Sequence, residues 1–534
     1  MIKKLFSARL VIMIFPLLAA GAAGGENPCT LESIRSLSPG SAAIDSVTPV
    51  QSPVAHCEIL GHTITRDPGP NRVEWTVMLP DERFNGRYYF VGLGAAAGVV
   101  PTTTTDNPIG QGYIPTTLKL LGAGFAVAGT DTGHKGSRWE FAIDNPAAKL
   151  DHGHRGAHVA AQATQAITRA YYDMDEKLYR YHLGCSGGGR MGAMAALHHP
   201  EDYDGIVAST GFGKGGSVWF PWILQYLINH PEGWVSPAKL ETLEKAVAQH
   251  CAGPDGLVRD VDACGFDPAS LQCQGESNDN CLTKAEIKMV ERITGRHPVG
   301  PNETSGGFSL TNPTGWSSFL LGPTRPTNKG PENPWAPDPA PYSYGLGQSI
   351  LRGMYFNDAD FNLMDLDFND PEHLQTLADH HADWGAVSPD LSAYKEAGGK
   401  LILWAPLGEN AVPPRTEIEY YHALHEAVPG TDEFMRLYVV PGVLHCAGGP
   451  GPQDAPDRFL DNVIAWAEQG ESPGAIVTSA STEIPRYFGN GAPSPARTVL
   501  VCPYPERAVF VGEEGEFAYD ARNWACQSVT DNAR

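Results

Sequence analysis

The segment Gly184-Cys-Ser-Gly-Gly-Gly-Arg190 limits what this chain can fold into more than any other, because of what stands on either side of it. An apolar run, Tyr179 to Gly184, precedes it and reads as a strand, while Met191 to Leu197 is Ala-rich and helix-compatible. Gly-x-Ser-x-Gly between a strand and a helix is the pattern of a nucleophile elbow, in which glycines two before and two after the serine let the backbone turn sharply without Cβ clashes. Such a turn lifts Ser186 Oγ above a sheet edge. It also leaves the Gly187 amide at a helix N-terminus, where it can donate to a developing oxyanion. The alternative is a glycine-rich turn that binds phosphate or merely joins two elements, and the motif alone does not separate the two.

The surroundings fit parallel βαβ construction. Arg87 to Gly92 and Gly124 to Thr130 read as strands, Asp151 to Asp173 as helix, and a second block from Lys400 to Trp466 carries strands at Lys400 to Ala405 and Arg436 to Val440. Both blocks look like parts of one sheet in an α/β fold. The loop Gly92-Leu-Gly-Ala-Ala-Ala-Gly98 follows the first of these strands, so Gly94 or Ala95 is placed to supply a second oxyanion donor. Between the blocks, from about Lys214 to Asp379, the chain is rich in Gly, Pro, Asn and Asp and holds four cysteines; Pro331 to Pro341 alone contains five prolines. That composition predicts a lid domain, residues 214–379, inserted into a catalytic domain of residues 26–213 and 380–534. Local crosslinks would give the insertion what it lacks in core.

Charge and cysteine usage narrow the function classes. A formal net charge of −23 with no Lys/Arg-rich run argues against nucleic acid and anionic lipid as partners. Lys3, Lys4 and Arg9 precede an apolar stretch, Leu10 to Ala20, and small residues follow through Gly25, which reads as a secretory signal over residues 1–25. The apolar run is short of the ~20 residues that a spanning helix needs, and no later window is long enough. The ten cysteines, Cys29, Cys57, Cys185, Cys251, Cys264, Cys273, Cys281, Cys446, Cys502 and Cys526, all follow that signal. An even count in an exported chain, without Cys-x-x-Cys spacing, favours disulfides over zinc or thiol exchange and predicts a secreted or periplasmic protein.

A late strand, Leu437 to Val440, leads into the glycine-flanked loop Pro441-Gly-Val-Leu-His-Cys446, where the general base of a Ser-acid-His order belongs. His445 has Cys446 beside it, as Ser186 has Cys185, so a bond between those cysteines would fix the two loops relative to each other. With Asn85-Gly-Arg87, Thr130-Asp-Thr-Gly-His134 and Gly398-Gly-Lys-Leu-Ile402, these segments resemble the tannase and feruloyl esterase family from Cys29 to Cys526. The resemblance implies an α/β-hydrolase fold with a lid over the acyl pocket, and a serine carboxylic ester hydrolase without an organic cofactor. It also implies the pairs Cys29–Cys57, Cys185–Cys446, Cys251–Cys264, Cys273–Cys281 and Cys502–Cys526. Its substrate would be a small aromatic ester or a plant-polymer-linked one, feruloyl and galloyl esters ahead of terephthalate half-esters. A non-catalytic exported binding protein on the same scaffold is the alternative, and it predicts a missing triad member.

The chain departs from the family pattern twice. The family places the triad aspartate in a loop ending Asp-Pro-x-x-Pro-Pro, whereas here the loop reads Ala405-Pro-Leu-Gly-Glu-Asn-Ala-Val-Pro-Pro414 and puts Glu409 at that position. Asp383 and Asp432 remain as other acids that could orient His445. The family's calcium loop, Cys-Asp-x-x-Asp-Gly-x-x-Asp-Gly, is here Cys251-Ala-Gly-Pro-Asp-Gly-Leu-Val-Arg-Asp-Val-Asp262. Asp255 and the carbonyls of Leu257 and Val261 fall on family positions, but Ala252 and Arg259 replace two carboxylates. Calcium gains much of its affinity from carboxylate count, so no metal is expected and Arg259 is expected to pair with Asp255 instead; Asp260 or Asp262 would have to shift register to rescue the site.

Overall fold

The computed structural model describes residues 28–528 except residues 82, 108–111, 261–263, 328–332, 481–496 and 514–516. The signal read at residues 1–25, and Val261 and Asp262 of the degenerate loop, lie outside the described residues.

The strand readings hold to within one or two residues at each end. Strands β1 (Ala42–Val50), β2 (His56–Thr65), β3 (Asn71–Pro80), β4 (Arg87–Gly92), β5 (Ala126–Thr130), β6 (Tyr179–Cys185) and β7 (Gly205–Ser209) precede the insertion. A hairpin of β8 (His297–Gly300) and β9 (Glu303–Ser305) lies within it, and β10 (Lys400–Pro406) and β11 (Met435–Val440) follow. Nine strands form one sheet in the order β1-β2-β3-β5-β4-β6-β7-β10-β11, parallel from β5 through β11. This is the α/β-hydrolase fold. The antiparallel edge β1-β2-β3 was not anticipated: it precedes the βαβ alternation, and its polar outer positions leave no continuous apolar run. Two further hairpins, β12 (Ile476–Ser479) with β13 (Thr498–Val501) and β14 (Glu506–Phe510) with β15 (Trp524–Ser528), close the C-terminal segment.

The pleat explains why the central strands are apolar throughout. In β4, Tyr88 and Phe90 face a core built with the helices Gly156–Tyr171 and Gly187–His198, whereas Tyr89 and Val91 face a second core with the helix Ala455–Gln469. Alternate residues point to opposite faces, and both faces are covered. Within the first of these layers the Tyr88 hydroxyl lies 2.7 Å from Thr164 Oγ1.

The chain leaves the sheet layer at Phe212 and returns at Ala386, and these two residues form a parallel bridge at the neck of the insertion. One expectation about this region is corrected. The insertion does not rely on crosslinks for want of a core; it has its own, in which Phe220, Leu224, Leu240, Leu243, Val290 and Trp316 are buried among the helices Trp219–Asn229, Pro237–Cys251 and Lys284–Thr294. Helical periodicity hides between Gly- and Pro-rich loops there. Ser236 caps the second helix and a Thr283–Glu286 capping box starts the third, while the buried pair Lys239–Glu286, 2.7 Å apart, ties them together.

All ten cysteines are bonded: Cys29 with Cys57, Cys185 with Cys446, Cys251 with Cys264, Cys273 with Cys281, and Cys502 with Cys526. That is the connectivity which the resemblance implies. Four bridges close short loops, and Cys185–Cys446 joins residues 261 apart.

Candidate active site

The loops that leave the C-terminal ends of β4, β6, β10 and β11 meet over the sheet, the usual place for a ligand crevice in α/β folds. The elbow after β6 shows why its residues are small. A Cβ on Gly184 would sit 2.3 Å from the Gly188 carbonyl, and one on Gly188 would sit 2.1 Å from Gly92 O. Close backbone packing, rather than a left-handed turn at the glycines, requires them. The strained residue is Ser186 itself, at φ 59° and ψ −128°, a conformation that costs a side-chain-bearing residue about 1–3 kcal/mol. Its amide donates to Ser209 O at 3.0 Å and to Thr210 Oγ1 at 2.8 Å, which holds the turn against β7.

Gly187 opens the helix Gly187–His198. A Cβ there would fall 2.0 Å from Ala95 O, so the loop after β4 presses directly on the helix N-terminus. Gly94, Ala95, Ser186 and Gly187 all line one cavity.

His445 lines the same cavity, on the loop after β11. The Cys185–Cys446 bond, with Cα atoms 5.8 Å apart, holds the residue before Ser186 to the residue after His445. Cys446 is itself at φ 63°. Gln453, which the sequence does not mark, braces this loop: its Oε1 accepts from the Gly448 amide at 2.7 Å and its Nε2 donates to Gly451 O at 2.9 Å.

Glu409, 1 % exposed, lies on the loop after β10. His445 Nδ1 is 2.6 Å from Glu409 Oε1, while Oε2 accepts from the amides of Ala411 and Val412, each at 2.9 Å. Asn410 completes the junction, accepting from the His445 amide at 3.1 Å and donating to Gly315 O at 2.8 Å. Asp383 and Asp432 lie elsewhere, Asp383 with Lys149 and His380, Asp432 with His425 and Arg436. The double proline ends the acid loop and starts the helix Arg415–Ala427. From that helix the fully buried Glu417 accepts from the Gly211 amide at 3.2 Å. Burial first, and the nearby Glu409 charge second, hold its carboxyl well above the usual range.

The cavity measures about 220 Å³ and has aromatic walls: Trp139, Trp219, Phe220, Phe319, Tyr342 and Trp384. The Phe319 ring centre is 5.8 Å from that of His445, and Trp219 Nε1 donates to Ala411 O at 2.8 Å, which pins an insertion helix to the acid loop. Of the other insertion aromatics, Trp222 stacks under Arg292, Trp316 is wholly buried, Tyr355 donates to Gly216 O and Phe356 stacks on Phe361, so these build the insertion itself. Trp139, Tyr342 and Trp384 are wall residues that carry no motif in the sequence. Arg190, the last residue of the elbow motif, is held by the carbonyls of His152, Gly153 and Trp384, each at 3.0 Å, with its guanidinium pulled down to about 10 by burial. Beside it, His381 is lowered to about 4 by burial and then by the Arg190 charge.

On the degenerate loop, Arg259 grips Asp255 with two contacts, Nη1 to Oδ1 at 2.8 Å and Nη2 to Oδ2 at 2.5 Å. Its guanidinium lies 3.8 Å above the Trp524 ring. The Leu257 amide donates to Asp255 Oδ1 at 3.2 Å, and Asp260 pairs with Arg507.

A model of the family "Tannase and feruloyl esterase" matches residues 57–526. Among curated proteins the chain is 31 % identical to a mono(2-hydroxyethyl) terephthalate hydrolase of Piscinibacter sakaiensis, over 88 % of this chain and 84 % of that protein. It is 29 % identical to a probable feruloyl esterase of Arthroderma benhamiae, over 77 % and 76 %. Among solved structures, feruloyl esterase B from Aspergillus oryzae superposes with a TM-score of 0.74 at 21 % identity, over 93 % of this chain and 99 % of that one. The chain belongs to the tannase and feruloyl esterase family and is a carboxylic ester hydrolase.

Proposed function

We propose that this protein is a secreted serine esterase that splits esters of aromatic carboxylic acids, of the feruloyl or galloyl type, with Ser186, His445 and Glu409 as its triad. The observation that carries the reading is the 2.6 Å contact between His445 Nδ1 and the buried Glu409, at the wall of the cavity that Ser186 also lines. Glu409 accepts a hydrogen bond from the Nδ1–H of His445, which holds the imidazole in the tautomer whose Nε2 is free to accept the Ser186 proton as Oγ attacks the ester carbonyl, and its charge stabilises the imidazolium that forms. The Gly187 amide, with Gly94 or Ala95, receives the oxyanion. Collapse of the tetrahedral intermediate gives the acyl-enzyme and releases the alcohol, protonated by His445; water then repeats the sequence and frees the acid. A glutamate in place of aspartate lengthens the acid by one methylene, and the paired amide contacts of its second oxygen support its fixed position.

Aromatic walls support an aromatic acyl group. A terephthalate half-ester is the second reading, supported by the 31 % identity to a mono(2-hydroxyethyl) terephthalate hydrolase and by Lys214, a cation that lines the cavity and would have to leave Glu303 to meet a free carboxylate. Secretion is supported by the five disulfides. Among the described residues no helix is long and apolar enough to cross a membrane. The degenerate loop works without calcium in this reading, because a guanidinium already neutralises Asp255 and Asp260 has its own cation.

Turnover of methyl ferulate, methyl gallate, a terephthalate half-ester and 4-nitrophenyl acetate by the wild type and Ser186→Ala tests the proposal. An aromatic methyl ester should lead in kcat/KM and the variant should be inactive on all four. Turnover of the terephthalate half-ester alone among the aromatic esters would replace the first reading by the second. Activity on none would overturn the aromatic-acyl reading of the substrate.

A further inference from the structure

We propose that His154, His158, His199 and Asp202 form a binding site for a transition-metal dication of the zinc class, on the surface where the start of the helix Gly156–Tyr171 meets the end of the helix Gly187–His198. The donor atoms of His158, His199 and Asp202 all lie within 4.8 Å of one another. Two pairs are already in contact: His158 Nδ1 lies 2.9 and 3.0 Å from the two Asp202 carboxylate oxygens, and His154 Nδ1 lies 3.0 Å from His199 Nε2. The rings of His158 and His199 are parallel with centres 3.7 Å apart, which brings the two pairs side by side.

Donor chemistry selects the ion. His154 and His158 are four residues apart on a continuous helical stretch, the spacing that puts two imidazoles on one face to grip one metal. Three imidazoles and one carboxylate match zinc, cobalt or nickel and not calcium, which takes oxygen ligands. At metal–ligand distances near 2.0–2.1 Å, tetrahedral donors stand roughly 3.4 Å apart. His158, His199 and Asp202, all within 4.8 Å of one another, are already near that value, and His154, which reaches His199, joins them by turning its imidazole; the three histidines are only partly buried. Asp202 is buried and gives the site a fixed wall. The other cluster of this kind among the described residues, Cys185, His445 and Cys446, has its sulfurs in a disulfide.

The site is separate from the ester chemistry. Ser186 begins the helix that His198 ends, and its twelve residues at 1.5 Å each put the two ends about 18 Å apart. A metal there would clamp the far end of the nucleophile's own helix to its neighbour, and so act on stability first.

The test uses the tag-free mature chain, stripped with EDTA and titrated calorimetrically with zinc chloride, with cobalt(II) added in parallel for its visible absorption. Expected are one equivalent of zinc bound at micromolar Kd or tighter, a tetrahedral cobalt spectrum, and a melting temperature that rises with zinc concentration. His158→Ala and His199→Ala should each weaken binding at least tenfold. If either alanine variant melts well below the stripped wild type, the glutamine variant at the same position takes its place. No saturable uptake by the wild type, or uptake unaltered by these substitutions, would overturn the proposal.

Discussion

Ser186, Glu409 and His445 stand on loops that leave three strand ends, whereas Trp219, Phe220, Phe319 and Tyr342 face them from the insertion. Different physics holds the two sides of the cavity. On the sheet side the backbone itself is constrained: glycines in contact with carbonyls, Ser186 and Cys446 at positive φ, and a disulfide between their loops. On the insertion side ordinary hydrophobic packing of helices suffices, with Trp219 as one tether to the floor. Chemistry needs atoms placed to a fraction of an ångström, while recognition of an apolar ring tolerates looser placement. The sheet should therefore set kcat and the insertion KM.

Glu409→Gln should break the sheet side most sharply. It keeps the shape but withdraws the carboxylate from His445 Nδ1, and turnover should fall on the order of 10³ to 10⁴ with little change in KM. Activity within about fivefold of wild type would remove Glu409 from the triad. The pair Cys185→Ala/Cys446→Ala comes next. A loop displaced by ~1 Å can cost roughly 100-fold, so kcat should drop by about that factor, a larger effect than the fall in melting temperature that loss of a crosslink between residues 261 apart also brings. Unchanged turnover would make the bridge irrelevant to catalysis.

Phe319→Ala tests the other side. It removes a ring 5.8 Å from His445 and should raise KM for an aromatic ester about tenfold while kcat stays within a few-fold. A fall in kcat with KM unchanged would erase the division between the two sides. The smallest effect is expected at the degenerate loop: EDTA should leave the melting temperature and turnover unaltered apart from any contribution of the histidine cluster, and elemental analysis should find no calcium. One tightly held calcium per chain would contradict the Arg259–Asp255 reading.

The two sides also differ in how far the sequence reveals them. Strand-turn-helix context marks Ser186, and position after a late strand marks His445, because local pattern and fold agree there. Glu409 is found by counting back from Pro413-Pro414 on the family pattern. Gln453 and Asn410 are invisible, since an amide that braces a loop looks like any polar residue until the loop is folded. The insertion's wall is equally hidden: Trp219, Phe220 and Phe319 line the cavity while Trp222, Trp316, Tyr355 and Phe356 do not, and nothing in their spacing separates the two groups. Its core was missed for a related reason, because short amphipathic helices between proline-rich loops lack a long periodic run.

The most direct measurement is the pre-steady-state release of nitrophenol from 4-nitrophenyl ferulate. The account predicts a burst of one equivalent per chain, with the feruloyl group found on the peptide containing Ser186 after an acid quench, and neither burst nor label in Ser186→Ala. Turnover without an acyl-enzyme on Ser186, or a burst that survives Ser186→Ala, would contradict it.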